Sequence, residues 1–166
     1  MRAAADTSVL IAFKKMGYLG YLPKIFDNVL LARAVMQEVR GEELYDDVEQ
    51  LVSQGFARVA EATNLDLVGL LSASLGRGEA ETIALALDVS ADLALLDDLK
   101  ARKAARRLGI RVIGTLGTLK LLMDAGYVHE SPEELCSALV GQGFWVDVGL
   151  CLKILGQVES DRVSGG

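Results

Sequence analysis

The chain has 166 residues, 51% of them hydrophobic, with two cysteines and one histidine. That length suits one ordinary domain with a substantial core, and no apolar run approaches the ~18–20 residues that span a bilayer. The formal net charge of -6 argues against a protein that coats nucleic acid over its whole surface, since those are usually basic.

The opening residues reach Asp6 too soon for a signal-peptide core, so a cytoplasmic protein without a membrane segment is expected. Residues 3–5 are a first strand. "ADTSVLIAF" (5–13) then interrupts an apolar beginning with one carboxylate and two hydroxyls. A carboxylate beside a buried strand is costly to desolvate unless paired, which places Asp6 at the strand's mouth, within reach of water or a cation. Thr7 or Ser8 can cap a helix over 9–15. A short helix near 19–26 leads to an apolar strand at 28–31. Residues 33–39 read as a helix, 42–54 as an acidic helix and 57–60 as a strand. A helix over 64–74 takes Asn64 as its cap.

"GRGEAETIALALDVSAD" begins with loop glycines and becomes helical from 79 to about 88. Residues 92–96 form a short apolar strand. "DDLKARKAARRLG" is a helix with acids at its start, bases along it and Gly109 at its stop, as the macrodipole favours. A strand at 111–113 and a helix over 118–125 follow. From about 131 the chain is helical, and 144–158 is apolar enough for either the core or an interface such as that of a homodimer. The organisation is one domain over 1–160, with 131–160 as a C-terminal helical extension and 161–166 as a tail.

Short apolar strands alternating with helices indicate a mostly parallel sheet covered on both faces, a three-layer α/β/α domain. Such sheets bind ligands beyond the carboxyl ends of their strands, near the switch in strand order. Asp6 directly follows the first strand, and Asp97 and Asp98 follow the strand at 92–96. If those strands are neighbours, their acids meet. Glu38 lies on the helix after the second strand. Glu79 stands four residues before Ile83 and so projects from the buried face of its helix, whereas Glu81 is turned roughly 200° away.

Carboxylates gathered in one cleft repel one another: two unit charges about 5 Å apart cost roughly 3 kcal/mol at an effective dielectric near 20. They persist by taking up protons or by holding a divalent cation. With His129 the one histidine, a centre built on several imidazoles is excluded, and any serine or cysteine triad would have to depend on it. Cys136 and Cys151 have no zinc-site spacing and read as small buried hydrophobes. Oxygen ligands point to Mg²⁺ or Mn²⁺, whose retained water can attack a phosphodiester. Six bases between Lys100 and Arg111 form a local basic patch. Trp145 is expected to pack against the domain.

"ADTSVLIAF", the end of "ARAVMQEV", "LGRGEAETIALAL" and "LALLDDLKARKAARRLGIRVIGTLGTLKLL" together resemble, in order over about residues 3–130, a PIN domain. The resemblance is to the prokaryotic PIN-like subgroup that looks like VapC-type toxins. It implies cleavage of RNA with Mg²⁺ or Mn²⁺ and neutralisation by a small antitoxin. Carried over, the catalytic acids are Asp6, Glu38, Glu79 and Asp97, with Asp6, Glu79 and Asp97 or Asp98 as metal ligands. Thr7 or Ser8 would be the hydroxyl near the first acid, and Thr115 a supporting group. An ungapped comparison favours Asp97, leaving Asp98 to cap the next helix. Lys100, Arg102, Lys103 and Arg106 are the candidate phosphate contacts. The alternative is an inactive PIN-like module that binds RNA or protein. A phosphoacceptor receiver is disfavoured, because its acid pair should come early and "VIGTLG" supplies no lysine.

Overall fold

The computed structural model describes residues 1–157; the tail at 161–166 and the end of the expected extension lie outside the described residues. Five strands form one sheet: β1 (Arg2–Ala5), β2 (Asn28–Ala32), β3 (Ala57–Ala60), β4 (Leu93–Leu95) and β5 (Val112–Ile113). Their order is β3-β2-β1-β4-β5, and every pairing is parallel. Helices cover it as α1 (Thr7–Lys15), α2 (Arg33–Val39), α3 (Tyr45–Ser53), α4 (Leu65–Ser72), α5 (Arg77–Asp88), α6 (Leu99–Arg107), α7 (Thr115–Asp124), α8 (Pro132–Gly141) and α9 (Val148–Leu155), with a 3₁₀ turn at Leu19–Lys24. This is the three-layer α/β/α arrangement expected from the alternation of strands and helices.

The central strand is nearly all alanine, a residue of low strand propensity. Ala3, Ala4 and Ala5 are completely buried, and their small side chains let helices approach the sheet closely, so packing overrides propensity. Helix α5 exploits this. It lies against β1, β2 and β4 and is buried from Ala80 through Ala86. Beyond β1 the chain moves outward through β2 and β3, then returns to β4 on the other side. The reversal falls between β1 and β4, where Ala5 is in register with Leu95 and the Asp6 amide donates to the Leu95 carbonyl at 3.1 Å. Asp6 and the Asp97-Asp98 pair therefore share the switch point.

Several local expectations need correction. The first helix begins at Thr7, not 9, and Asp6 rather than Thr7 or Ser8 occupies its cap position. Helix α3 starts at Tyr45, after a turn at 42–44. Helix α7 opens at Thr115, not 118. Gly78 is not a loop glycine but the second residue of α5. The C-terminal part resolves into α8 and α9. Ser131 and Glu134 cap each other's amides at the start of α8 (3.1 and 2.7 Å), and Asp147 accepts from the Leu150 amide at 2.7 Å to open α9. Cys136 and Cys151 are buried as expected, but they are joined in a disulfide that ties α8 to α9. A 15-residue separation offers no recognisable spacing, so only the packing of the two helices brings the sulfurs together. No helix among the described residues is long and apolar enough to cross a membrane.

Candidate active site

Asp6 leaves β1 at the carboxyl edge of the sheet, with 5% of its surface exposed. The Ser8 hydroxyl donates to its Oδ2 at 3.0 Å. Thr7, on the same turn, donates from Oγ1 to Glu38 Oε2, joining the start of α1 to the last turn of α2. Glu38 in turn lies against Gly78: a Cβ there would stand 2.6 Å from Glu38 Oε1 and 2.8 Å from Oε2. The glycine thus lets α5 come up against the carboxylate. Glu79 follows on the first turn of α5 and accepts from the Gly76 amide at 3.0 Å. Asp6, Glu38 and Glu79 line one cleft of about 390 Å³ with Thr7, Ser8 and Gly78.

The electrostatics show the strain of this gathering. Burial pushes the Asp6 carboxyl above its usual range, the charge of Glu38 adds to this, and the Ser8 hydroxyl partly offsets it. Glu79 is raised first by burial and then by the charges of Asp6, Asp98 and Glu38, against the opposing Gly76 amide. Among the described residues no lysine or arginine forms an ion pair with any of these three acids. As placed, no three of the described acids, histidines or cysteines are set to hold one ion together.

Asp97 is not in that cleft. It lines a neighbouring groove of about 690 Å³, where Thr115 donates to it from both its amide and its hydroxyl at 2.7 Å. Ser8 lines both spaces, so groove and cleft adjoin. Asp98 caps α6 by accepting from the Ala101 amide at 2.9 Å, yet its charge reaches Glu79. Of the basic residues, Arg102 and Arg106 line the groove, while Lys100 and Lys103 are exposed on α6 and line neither space.

Glu81 faces away from the cleft, as its helical rotation implies. It is buried, and it accepts from the Ala34 amide at 2.9 Å and from Arg77 Nε at 2.8 Å. It supplies the cap that Ala32 lacks at the start of α2, a role without a local sequence signal because 47 residues separate the partners. The only signal Gly78 carried was its type, since a glycine kept within helical periodicity has a packing or functional reason. Trp145 reverses the expectation outright. It is as exposed as a residue can be (105%) and lines the groove beside Asp97, because the loop between α8 and α9 carries it past the core.

A doubly wound parallel sheet with acids collected at its switch point defines the class of α/β proteins that bind ligands at that edge. A family model described as a PIN domain matches residues 2–160, and the chain belongs to the PIN domain family. PIN domains are generally nucleases. No curated protein matches the chain.

Proposed function

We propose that the protein is a Mg²⁺- or Mn²⁺-dependent endoribonuclease, the toxin partner of a small antitoxin. The observation that carries this reading is the cleft itself, where Asp6, Glu38 and Glu79 from three elements are gathered with no ion-paired lysine or arginine among the described residues. The donor set is all hard oxygen, which fits Mg²⁺ or Mn²⁺. Acids not close enough for direct ligation by three at once suit an ion that keeps several waters. Asp6, Glu79 and Asp97 or Asp98 would hold it, and when bound it supplies an activated water and charge neutralisation at the phosphate.

The chain's own groups set the stage. Thr7 holds the Glu38 carboxylate and Ser8 that of Asp6, so both acids keep fixed orientations before substrate arrives. Thr115 fixes both oxygens of Asp97. Arg102 and Arg106, with Lys100 and Lys103 on the same helix, can neutralise the RNA backbone, which adds a salt-dependent part to affinity.

Incubating the purified chain with RNA and Mn²⁺ tests the activity. Asp6→Asn should lower cleavage by about 100-fold or more; equal cleavage by both proteins would remove the claim. One observation favours the rival, a PIN-like module that binds without cutting: among the described residues no three acids stand ready to share an ion. Divalent cations that neither cut RNA nor raise the melting temperature support that rival, since a native-state ligand must stabilise. For an antitoxin or a second copy, the exposed Leu65 and Leu70 of α4, a helix that buries no residue, are a surface in keeping with a partner. Co-purification with the product of a neighbouring reading frame tests the antitoxin.

A further inference from the structure

The groove beside the acidic cleft has a composition that phosphodiester cleavage does not require. Trp145, fully exposed, lines it together with Arg102 and Arg106. Both carboxylates lining it are already engaged: Asp97 with Thr115 and Asp147 with the Leu150 amide. Neither arginine forms an ion pair among the described residues, and Arg102 Nε is buried with no hydrogen-bond partner. Burial, together with neighbouring Arg106, weakens the hold of the Arg102 guanidinium on its proton, while Asp97 opposes this.

We propose that this groove is a subsite for an unpaired nucleotide of single-stranded RNA, next to the scissile phosphate, with Trp145 as the stacking platform for its base and Arg102 and Arg106 as the clamp on its phosphate. The inference rests on the ribonuclease reading for its substrate but not for its own test. A bare indole face stacks on any base, and a guanidinium meets phosphate oxygens through paired donors. The groove's volume of about 690 Å³ is that of a small-ligand site, and it shares Ser8 with the acidic cleft. Bases locked in a duplex present no free face, so the subsite selects single strands. The chain carries one tryptophan, which makes its fluorescence a direct reporter.

Titration of the full chain with an oligouridylate in EDTA, where no cutting occurs, should quench that fluorescence to saturation; an RNA duplex of equal length should not. By anisotropy of a labelled oligouridylate, Trp145→Ala should weaken binding on the order of 10-fold, Trp145→Phe should largely restore it, and Arg106→Ala should reduce the salt dependence. Unmoved fluorescence, or equal affinity for Trp145→Ala, overturns the proposal, and absence of oligouridylate binding leaves the groove to a protein partner. Because the titration is run in EDTA, the two readings fail separately: saturable quenching without Mn²⁺-dependent cleavage keeps the subsite and removes the ribonuclease reading, and cleavage without quenching does the reverse.

Discussion

At the scale of the residue, Asp6 carries the most consequence. Its carboxyl holds a proton more tightly when folded than its ordinary value of 3.8, so the native state binds more protons than the unfolded chain just above that pH. In the metal-free protein Asp6's own contribution to stability must then fall as pH rises from about 3.8 through the raised folded value, and stay lost above it. Asp6→Asn should flatten that fall and raise the melting temperature at neutral pH while abolishing cleavage. A melting series against pH, with and without Mn²⁺, checks both, and an unchanged slope in the variant would falsify the burial argument. Gly78 is the second telling position. Gly78→Ala gains up to about 1 kcal/mol of helix propensity, but its Cβ must push the end of Glu38 aside. Cleavage should drop by roughly 10- to 100-fold, as a displacement near 1 Å can cause, with little loss of stability in urea titrations.

At the scale of the element, helix α2 depends on a residue far from it in sequence. Its cap residue, Ala32, offers no side-chain acceptor, and the buried carboxylate of Glu81 takes the Ala34 amide instead. Removing a charged acceptor from a buried donor costs about 2–3 kcal/mol. Glu81→Ala should therefore destabilise by that amount and, because α2 carries Glu38, also lower cleavage. Glu81→Gln keeps an acceptor and should recover much of both. Denaturant titration and a cleavage assay on the two variants decide it; equal loss in both would place the effect in charge rather than in the cap. At the start of α7, Thr115→Val deletes one of the two bonds to Asp97 and should cost about 1.5–3 kcal/mol.

At the scale of the molecule, the C-terminal helices are stitched to one another by a bond as well as by packing. A disulfide closing a loop of this length contributes about 3 kcal/mol in the chain-entropy account. The double variant Cys136→Ala/Cys151→Ala should lose roughly 2–4 kcal/mol, and the wild type should melt lower in reductant; coincident melting curves would show that packing of α8 on α9 suffices. The loop between those helices carries Trp145 to the groove, so the same variant should also broaden the salt- and RNA-response of its fluorescence. The order β3-β2-β1-β4-β5 does the rest. By returning the chain to the far side of β1 it sets the strand ends that carry Asp6 and the Asp97-Asp98 pair beside each other, across some ninety residues of sequence.

The alternation of short apolar runs with helical periodicity was enough, read from the chain alone, to specify a parallel α/β/α domain and to place Asp6 and the Asp97-Asp98 pair at strand ends, Glu79 at a helix start and Glu38 on the helix after the second strand. Those are local properties: side-chain period, caps and turns are written into neighbouring residues. What each acid faces is a long-range property and belonged to the tertiary structure. Only there does Asp97 turn to Thr115 rather than into the cleft, Glu81 cap a helix 47 residues away, Cys136 meet Cys151 and Trp145 stand in solvent. Each depends on how elements distant in sequence pack, and that is decided by the summed fit of the whole core rather than by any segment's own pattern.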